Sequence, residues 1–211
     1  MDLAQFKQLP IIGILRDIEL EIVDELIEAV VSSGLKTIEI TMNTPNAASL
    51  IKAAQAAAKG RLMIGAGTVL SKQDSKTAQD SGATFIVSPT LVEDLVNDCC
   101  KKSIPVFPGA LTPGEINKAW VCGATMVKVF PAKVFGPGYF KEIKGPFKNI
   151  ELLACGGVNS KNIGEFFSSG ASAVAFGASI FKKAWLKSRN FSAIEKEIKE
   201  LIKGDDTIIV Q

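Results

Sequence analysis

Residues 11–41, IIGILRDIELEIVDELIEAVVSSGLKTIEIT, contain one complete strand–helix–strand unit. Ile11 to Leu15 is a short apolar, β-branched run, too short for a buried helix. Leu20, Val23, Leu26, Ile27, Val30 and Val31 then recur on one face at the helical period. Thr37 to Thr41 is a second β-branched run. Two strands separated by a helix this long are expected to lie parallel, because the crossover returns the chain to the same end of the sheet.

The same unit repeats along the whole chain. Further apolar runs fall at Leu62 to Ala66, Thr84 to Val87, Ile104 to Phe107, Met126 to Phe130, Ile150 to Ala154 and Ala173 to Phe176. Helical patterns lie between them, as at Leu91, Leu95, Val96 and Cys99. Cap signals mark helix starts: Thr44-Pro45, the capping-box pattern Thr112-Pro113-Gly114-Glu115, Asn159 or Ser160 ahead of Ile163, Phe166 and Phe167, and Ser192-Ala193-Ile194-Glu195. That last helix is expected to run to about Gly204. Eight alternations in 211 residues predict an α/β fold, a (β/α)8 TIM barrel closed on itself. No linker or composition shift interrupts the pattern, so residues 1–211 read as a single domain, with a docked or frayed tail from about 205.

Composition narrows the chemistry. The formal net charge is +2, with Lys and Arg scattered, so no basic face for nucleic acid is expected. No stretch approaches about 18 consecutive apolar residues, so no membrane span is expected. Met1 to Phe6 lacks a basic region followed by an apolar run, so no secretory signal is expected. The four cysteines, Cys99, Cys100, Cys122 and Cys155, show no Cys-x-x-Cys spacing and read as reduced thiols in the cytoplasm. The chain has no histidine. Ser-His-Asp and Cys-His catalysis are excluded, and the commonest metal ligand is missing.

Barrel enzymes carry their sites at the C-terminal ends of the strands. Those ends read Arg16, Glu39, Thr68, Ser88-Pro89, Pro108-Gly109, Lys128, Cys155-Gly156-Gly157 and Gly177-Ala178-Ser179. In Met126-Val127-Lys128-Val129-Phe130, alternation puts Met126, Lys128 and Phe130 on the inward face. Burial penalises an ammonium and favours the neutral amine, the form that attacks a ketone to make an imine. Glu39, inward in Thr37-Ile38-Glu39-Ile40-Thr41, could relay protons beside it. The same two residues could instead form a structural ion pair. Gly156-Gly157 and Gly177-Ala178-Ser179 follow the last two strands, where barrels commonly hold phosphate on backbone N–H groups, here with the Ser179 hydroxyl as a further donor. They could also be simple exit turns. Thr68, after Gly65-Ala66-Gly67, could hydrogen-bond a carboxylate or close a tight turn. The cysteines read as small core residues.

Taken in order, these residues resemble the family of 2-keto-3-deoxy-6-phosphogluconate (KDPG) and 4-hydroxy-2-oxoglutarate (KHG) aldolases, from Pro10 to about Lys183. The resemblance rests on Ile14-Leu15-Arg16, Ile38-Glu39-Ile40-Thr41, Gly65-Ala66-Gly67-Thr68-Val69, Ser88-Pro89, Val127-Lys128-Val129-Phe130-Pro131, Gly156-Gly157-Val158 and Gly177-Ala178-Ser179. It implies a cytoplasmic class I aldolase, a homotrimer, acting on a phosphorylated keto sugar acid and pyruvate without metal or organic cofactor. By the same resemblance Lys128 forms the Schiff base and Glu39 is the acid/base acting through water. Thr68 and Pro89 line the pyruvate end, Phe130 packs beside the imine, and Arg16 binds an anionic or hydroxyl part of the substrate. Gly156, Gly157, Gly177 and Ser179 hold the phosphate. One departure concerns substrate: many gluconate-type members have an arginine where this chain reads Met42-Asn43-Thr44. Asn43, with the Phe135-Gly136-Pro137 turn, resembles members that prefer the galactonate epimer. The alternatives are a 4-hydroxy-2-oxoglutarate aldolase, a phosphosugar epimerase or isomerase, and a catalytically silent phosphosugar-binding protein on the same barrel.

Overall fold

Alternating inward and outward side chains on parallel strands organise the chain in the computed structural model, which describes residues 1–204. The strands are β1 (Ile11–Leu15), β2 (Thr37–Thr41), β3 (Met63–Gly67), β4 (Ile86–Val87), β5 (Val106–Phe107), β6 (Gly109–Ala110), β7 (Val127–Val129), β8 (Leu152–Cys155) and β9 (Ala173–Phe176). They form one sheet in the order β5-β4-β3-β2-β1-β9-β8-β7-β6 with parallel pairings. The two outermost strands, β5 and β6, are consecutive in the chain and separated only by Pro108. β5 is the end of the expected strand Ile104 to Phe107, and β6 is an extension beyond it, the two separated because proline has no N–H to give to the ladder. Thr125 donates its N–H to the Val106 carbonyl (2.9 Å) and Lys128 to the Pro108 carbonyl (2.9 Å). These bonds carry the ring across the break, and the barrel closes.

The expected strands at Ile11–Leu15, Thr37–Thr41 and Ala173–Phe176 match residue for residue. The others shift or shorten. Strand three starts at Met63 rather than Leu62, strand four begins at Ile86 rather than Thr84, and strand seven runs Leu152–Cys155 rather than from Ile150.

The helices are α1 (Leu3–Gln8), α2 (Val23–Ser32), α3 (Ala47–Ala58), α4 (Lys72–Asp80), α5 (Glu93–Lys101), α6 (Pro113–Val121), α7 (Gly138–Lys144), α8 (Ile163–Ser168), α9 (Lys183–Lys187) and α10 (Phe191–Lys203). The Thr112–Glu115 capping box forms as expected. Three other caps differ. Thr44 does not cap α3, which starts after Asn46; its hydroxyl instead accepts from the Asp17 N–H (3.1 Å) and pairs with the Thr41 hydroxyl. α8 starts after Asn162, whose Oδ1 accepts from the Asn159 N–H (2.9 Å). α10 is capped by Asn190, which accepts from the Ala193 N–H, and Ser192 lies inside the first turn. Leu20 sits in a 3₁₀ turn before α2 and is 51% exposed, so it lies off the expected apolar face. The expected tail from about 205 lies outside the described residues.

Two cores result. The outward faces of the strands, including Ile38, Ile40, Ile64, Val127 and Val129, pack against helix residues such as Leu26, Val30, Ile51 and Ala54. Inside the ring, Ile12, Phe85, Val87, Phe107, Met126, Leu153 and Ala173 pack together with Phe6. The Phe85 and Phe107 rings meet edge-on at 5.8 Å. Phe85 fits because β3 carries Gly65, where a Cβ would sit 2.4 Å from the ring. Pairing large residues with small ones across the interior is how a narrow barrel fills without strain.

Phe6 comes from α1, a helix the apolar pattern does not reveal. Asp2 caps it by accepting from the Ala4 and Gln5 N–H groups. Phe6 plugs the N-terminal end of the barrel, its ring 6.2 Å from Phe107. Phe6→Ala should therefore destabilise the fold by about 3–5 kcal/mol, the usual cost of emptying a buried aromatic site. Urea unfolding should show a lower midpoint at an unchanged slope. A loss below about 1 kcal/mol would mean that the floor of the barrel closes without this ring.

Candidate active site

At the opposite end of the barrel, the strand ends surround a cavity of about 660 Å³. Period-two alternation turns Ile14, Glu39, Lys128, Cys155 and Ala175 inward from five different strands, and all five line it. Arg16, Asn43, Thr68, Pro89, Phe130, Gly156, Gly157, Gly177 and Ser179 join them from the loops that follow. Every residue singled out above as a site candidate thus faces one cavity. Pro131 and Lys133 also line it and were not anticipated. Both lie in the loop beyond β7, where reading only the strand ends does not reach.

Lys128 is 6% exposed and Glu39 2%. They do not form the structural ion pair that sequence alone left open. Among the described residues, no contact within 4.0 Å joins them, although the Lys128 charge acts on Glu39. Burial raises the Glu39 carboxyl above its ordinary value, while Lys128 and Arg16 oppose the shift. The Glu39 carboxylate lies against β3, where a Cβ on Gly67 would stand 2.3 Å from Oε1. Only glycine at 67 leaves Glu39 its present position. Lys128 Nζ lies 5.4 Å from the centroid of the Phe130 ring, a cation–π distance, and that ring is 41% exposed at the cavity mouth. Cys155 belongs to the interior cluster, as expected of a small core residue, yet also faces the cavity. Burial pushes its thiol up, which keeps it protonated.

The two sides of the cavity differ in what they offer a ligand. On one side Arg16 donates Nη2 to the Thr68 hydroxyl (3.4 Å), tying the loops after β1 and β3 together. Thr68 adopts positive φ (53°), which turns its side chain out of the strand direction. On the other side Gly156 and Gly157 both have positive φ (99° and 86°). Among the described residues, the backbone N–H groups of Gly156, Gly157, Ala178 and Ser179 donate to no protein acceptor. Free donors gathered at one end form a concave anion cradle. The Ser179 hydroxyl is not one of them. It donates to the Val158 carbonyl (3.0 Å), linking the loops after β8 and β9, so what Ser179 offers the cavity is its backbone N–H. Nor does a helix start at this turn: Gly177 to Phe181 closes a single turn, and α9 begins at Lys183.

Among the described residues no cluster of three or more His, Cys, Asp or Glu is placed to hold a metal ion, and no helix is long and apolar enough to cross a membrane.

Comparison with known proteins bears on the family and the fold. The model of the KDPG and KHG aldolase family matches residues 3–197. The 2-dehydro-3-deoxy-6-phosphogalactonate aldolase of Escherichia coli (strain K12) is 30% identical over 176 residues, covering 83% of this chain and 86% of that protein. A solved structure described as native KDPGal superposes with a TM-score of 0.88 at 26% identity, over 96% of this chain and 97% of its own. The KDPG aldolase of Legionella pneumophila, solved with pyruvate captured at low pH as a covalent carbinolamine intermediate, superposes with a TM-score of 0.86 at 29% identity, over 94% of this chain and 96% of its own.

The raised Glu39 carboxyl has a consequence for stability. Its folded-state pKa lies above the unfolded value, so between the two the folded chain holds more protons. Stability from this group is therefore full below the unfolded pKa and is lost as pH rises through the folded one. Glu39→Gln cannot ionise and should escape that loss. Thermal melts should show the variant gaining on wild type as pH rises from 4 toward neutrality; parallel curves would show that the fold does not penalise the charged carboxylate.

Proposed function

We propose a reaction for this chain, which belongs to the KDPG and KHG aldolase family of class I aldolases: reversible cleavage of a 6-phosphorylated 2-keto-3-deoxy sugar acid to pyruvate and glyceraldehyde 3-phosphate. The observation that carries the proposal is a buried amine, Lys128, facing a cavity with an anion cradle at one end and an Arg–Thr pair at the other. A substrate with a carboxylate at one end and a phosphate at the other fits that distribution.

In this reading the neutral Lys128 amine attacks the C2 ketone, and the carbinolamine loses water to give an iminium ion. The C3–C4 bond then breaks, and its electron pair flows into the iminium to form an enamine. The C4 hydroxyl gives its proton through a water to Glu39, and C4 leaves as the aldehyde of glyceraldehyde 3-phosphate. Glu39 returns the proton to C3, and hydrolysis frees pyruvate and restores the amine. A carboxyl whose pKa burial has raised suits this two-way traffic, because its acid and base forms lie closer in free energy near neutral pH. The iminium is the electron sink, so the chemistry calls for no metal or organic cofactor.

Thr68, Arg16 and Pro89 hold the pyruvyl end, Phe130 covers the imine, and the backbone at Gly156, Gly157, Gly177 and Ser179 holds the phosphate. Asn43 supplies an amide where a guanidinium would favour charge-assisted pairing, which favours the galactonate epimer over the gluconate one. 4-Hydroxy-2-oxoglutarate has no phosphate and would leave the cradle empty.

Three further statements belong to the proposal. The chain works as one domain, because Phe6 near one end and Ile198 near the other are both buried in the same barrel. It works in the cytoplasm, where four free cysteines stay reduced. It assembles as a homotrimer; Val134 and Phe135, exposed beside the cavity mouth, support self-association, and light scattering should read three times the 22.5 kDa chain mass.

Treatment with pyruvate and borohydride, followed by peptide mapping, should place one reduced pyruvyl group on Lys128 and on no other lysine. Lys128→Ala should lose both the adduct and turnover, at least about a thousandfold in kcat, as expected for removal of a covalent catalyst. An unmodified Lys128 would overturn the imine mechanism. Rates on the phosphogluconate, phosphogalactonate and unphosphorylated substrates then identify the preferred compound.

A further inference from the structure

Lys133 is a cation at the cavity that none of the roles above uses. It lies in the 3₁₀ turn Ala132–Val134, anchored by the buried Ala132 and closed by the Val134 N–H bond to the Pro131 carbonyl (3.2 Å). This turn covers the glycine pair after β8. A Cβ on Gly156 would touch the backbone of Pro131 and Ala132 at 3.6 Å, and one on Gly157 would stand 2.6 Å from Lys133 Cβ. The stem of Lys133 therefore rises directly over the glycine whose N–H opens into the cradle. Its side chain is exposed, and among the described residues it makes no ion pair.

The charges lining the cavity show what Lys133 can serve. Its ionisable side chains are Arg16, Lys128 and Lys133 against the single carboxylate Glu39, with Cys155 held neutral. Arg16 follows β1, beside β9, but turns its Nη2 to the Thr68 hydroxyl beyond β3, and Lys128 must be neutral to attack a ketone. Lys133 is then the cation left for the cradle, where backbone N–H groups supply dipoles but no net charge. Its four-carbon stem lets the ammonium swing onto a bound oxyanion without moving the turn.

We propose that Lys133 is a specificity-determining residue, closing over the distal phosphate and setting the preference for phosphorylated over unphosphorylated substrates. This rests on the reading of the Gly156–Gly157 cradle as the phosphate end of an aldolase site.

The test compares wild type with Lys133→Gln and Lys133→Arg on a phosphorylated 2-keto-3-deoxy acid and on the same acid without its phosphate. Lys133→Gln should lose about tenfold in kcat/KM on the phosphorylated substrate, mostly through KM, as expected for one charge-assisted hydrogen bond at a partly solvated site. The unphosphorylated acid should lose less than about twofold, and Lys133→Arg should recover most of the difference. Inhibition by inorganic phosphate should weaken in parallel with the KM effect. Equal losses on both substrates, or no loss on either while wild type still prefers the phosphorylated one, would overturn the role of Lys133 and leave the cradle reading intact. Absence of any phosphate preference in wild type, with the pyruvyl adduct still forming on Lys128, would overturn the cradle reading itself.

Discussion

An acid and an amine are buried in the interior of this barrel without pairing, and most of the structure follows from that. Glu39 on β2 and Lys128 on β7 would attract strongly in so dry a place. β1, β9 and β8 lie between their strands on one side of the ring, so the two residues stand on opposite walls of the barrel. Their separation is as sound as the ring. Its weakest seam is Pro108, where a ladder bond is missing; the Lys128 N–H spans that seam by donating to the Pro108 carbonyl. The residue that carries the amine thus also helps close the barrel that positions it.

Burying such groups is costly, and the layers around them show how the cost is offset. Below the charged layer, Phe6, Phe85, Phe107 and Met126 fill the ring and leave no path for water from the N-terminal end. Outside it, the strands bury a continuous aliphatic surface against the helices. Glycines on β3 connect the two demands. Gly65 admits the Phe85 ring, and two residues later Gly67 admits the Glu39 carboxylate. A single strand therefore makes room for the floor of the cavity and for its acid. Natural folds concentrate such local compromises at functional sites and offset them with a large regular core elsewhere.

This division explains what could be read from the sequence. β1, β2 and β9 were legible to the residue because each is a β-branched or apolar run with a breaker or polar residue at its start, Pro10, Lys36 and Ser172. Strands four and five came out shorter than read: Thr84 bonds to the Ile64 carbonyl of β3 through both its N–H and its hydroxyl ahead of β4, and Ile104 closes a turn onto the Cys99 carbonyl. Gly109–Ala110 was not read as strand, because its pairing with β7, while β5 pairs with β4, is a property of closure. The inward strand-end residues were legible through alternation alone. Thr44 was misplaced because a Thr-Pro pair before a helix looks like a cap, whereas its hydroxyl is taken by the Asp17 N–H, a contact between loops distant in sequence. α1 left its mark only in Asp2 and Gln5, a cap pattern too short to carry an apolar period.

Under the proposed reaction, the residues that would choose among substrates lie where sequence reading is weakest. Chemistry here rests on strands: an inward lysine and an inward glutamate keep their facing as long as the pleat alternates, and no loop needs to be known to predict them. Specificity rests on loops. Asn43 follows β2, Lys133 follows β7, and Ser179 follows β9, each set by turn geometry that no periodicity encodes. Ser179 illustrates the difference: its hydroxyl looks like a phosphate donor in sequence but is spent on the Val158 carbonyl, leaving the backbone to do the binding. A fold that holds its covalent chemistry on rigid strands can exchange a guanidinium for an amide at one loop, and add an ammonium at another, without moving the amine that forms the imine. Relatives named for different phosphorylated sugar acids share this barrel, and in the proposed reading their differences are to be sought in the loops above it.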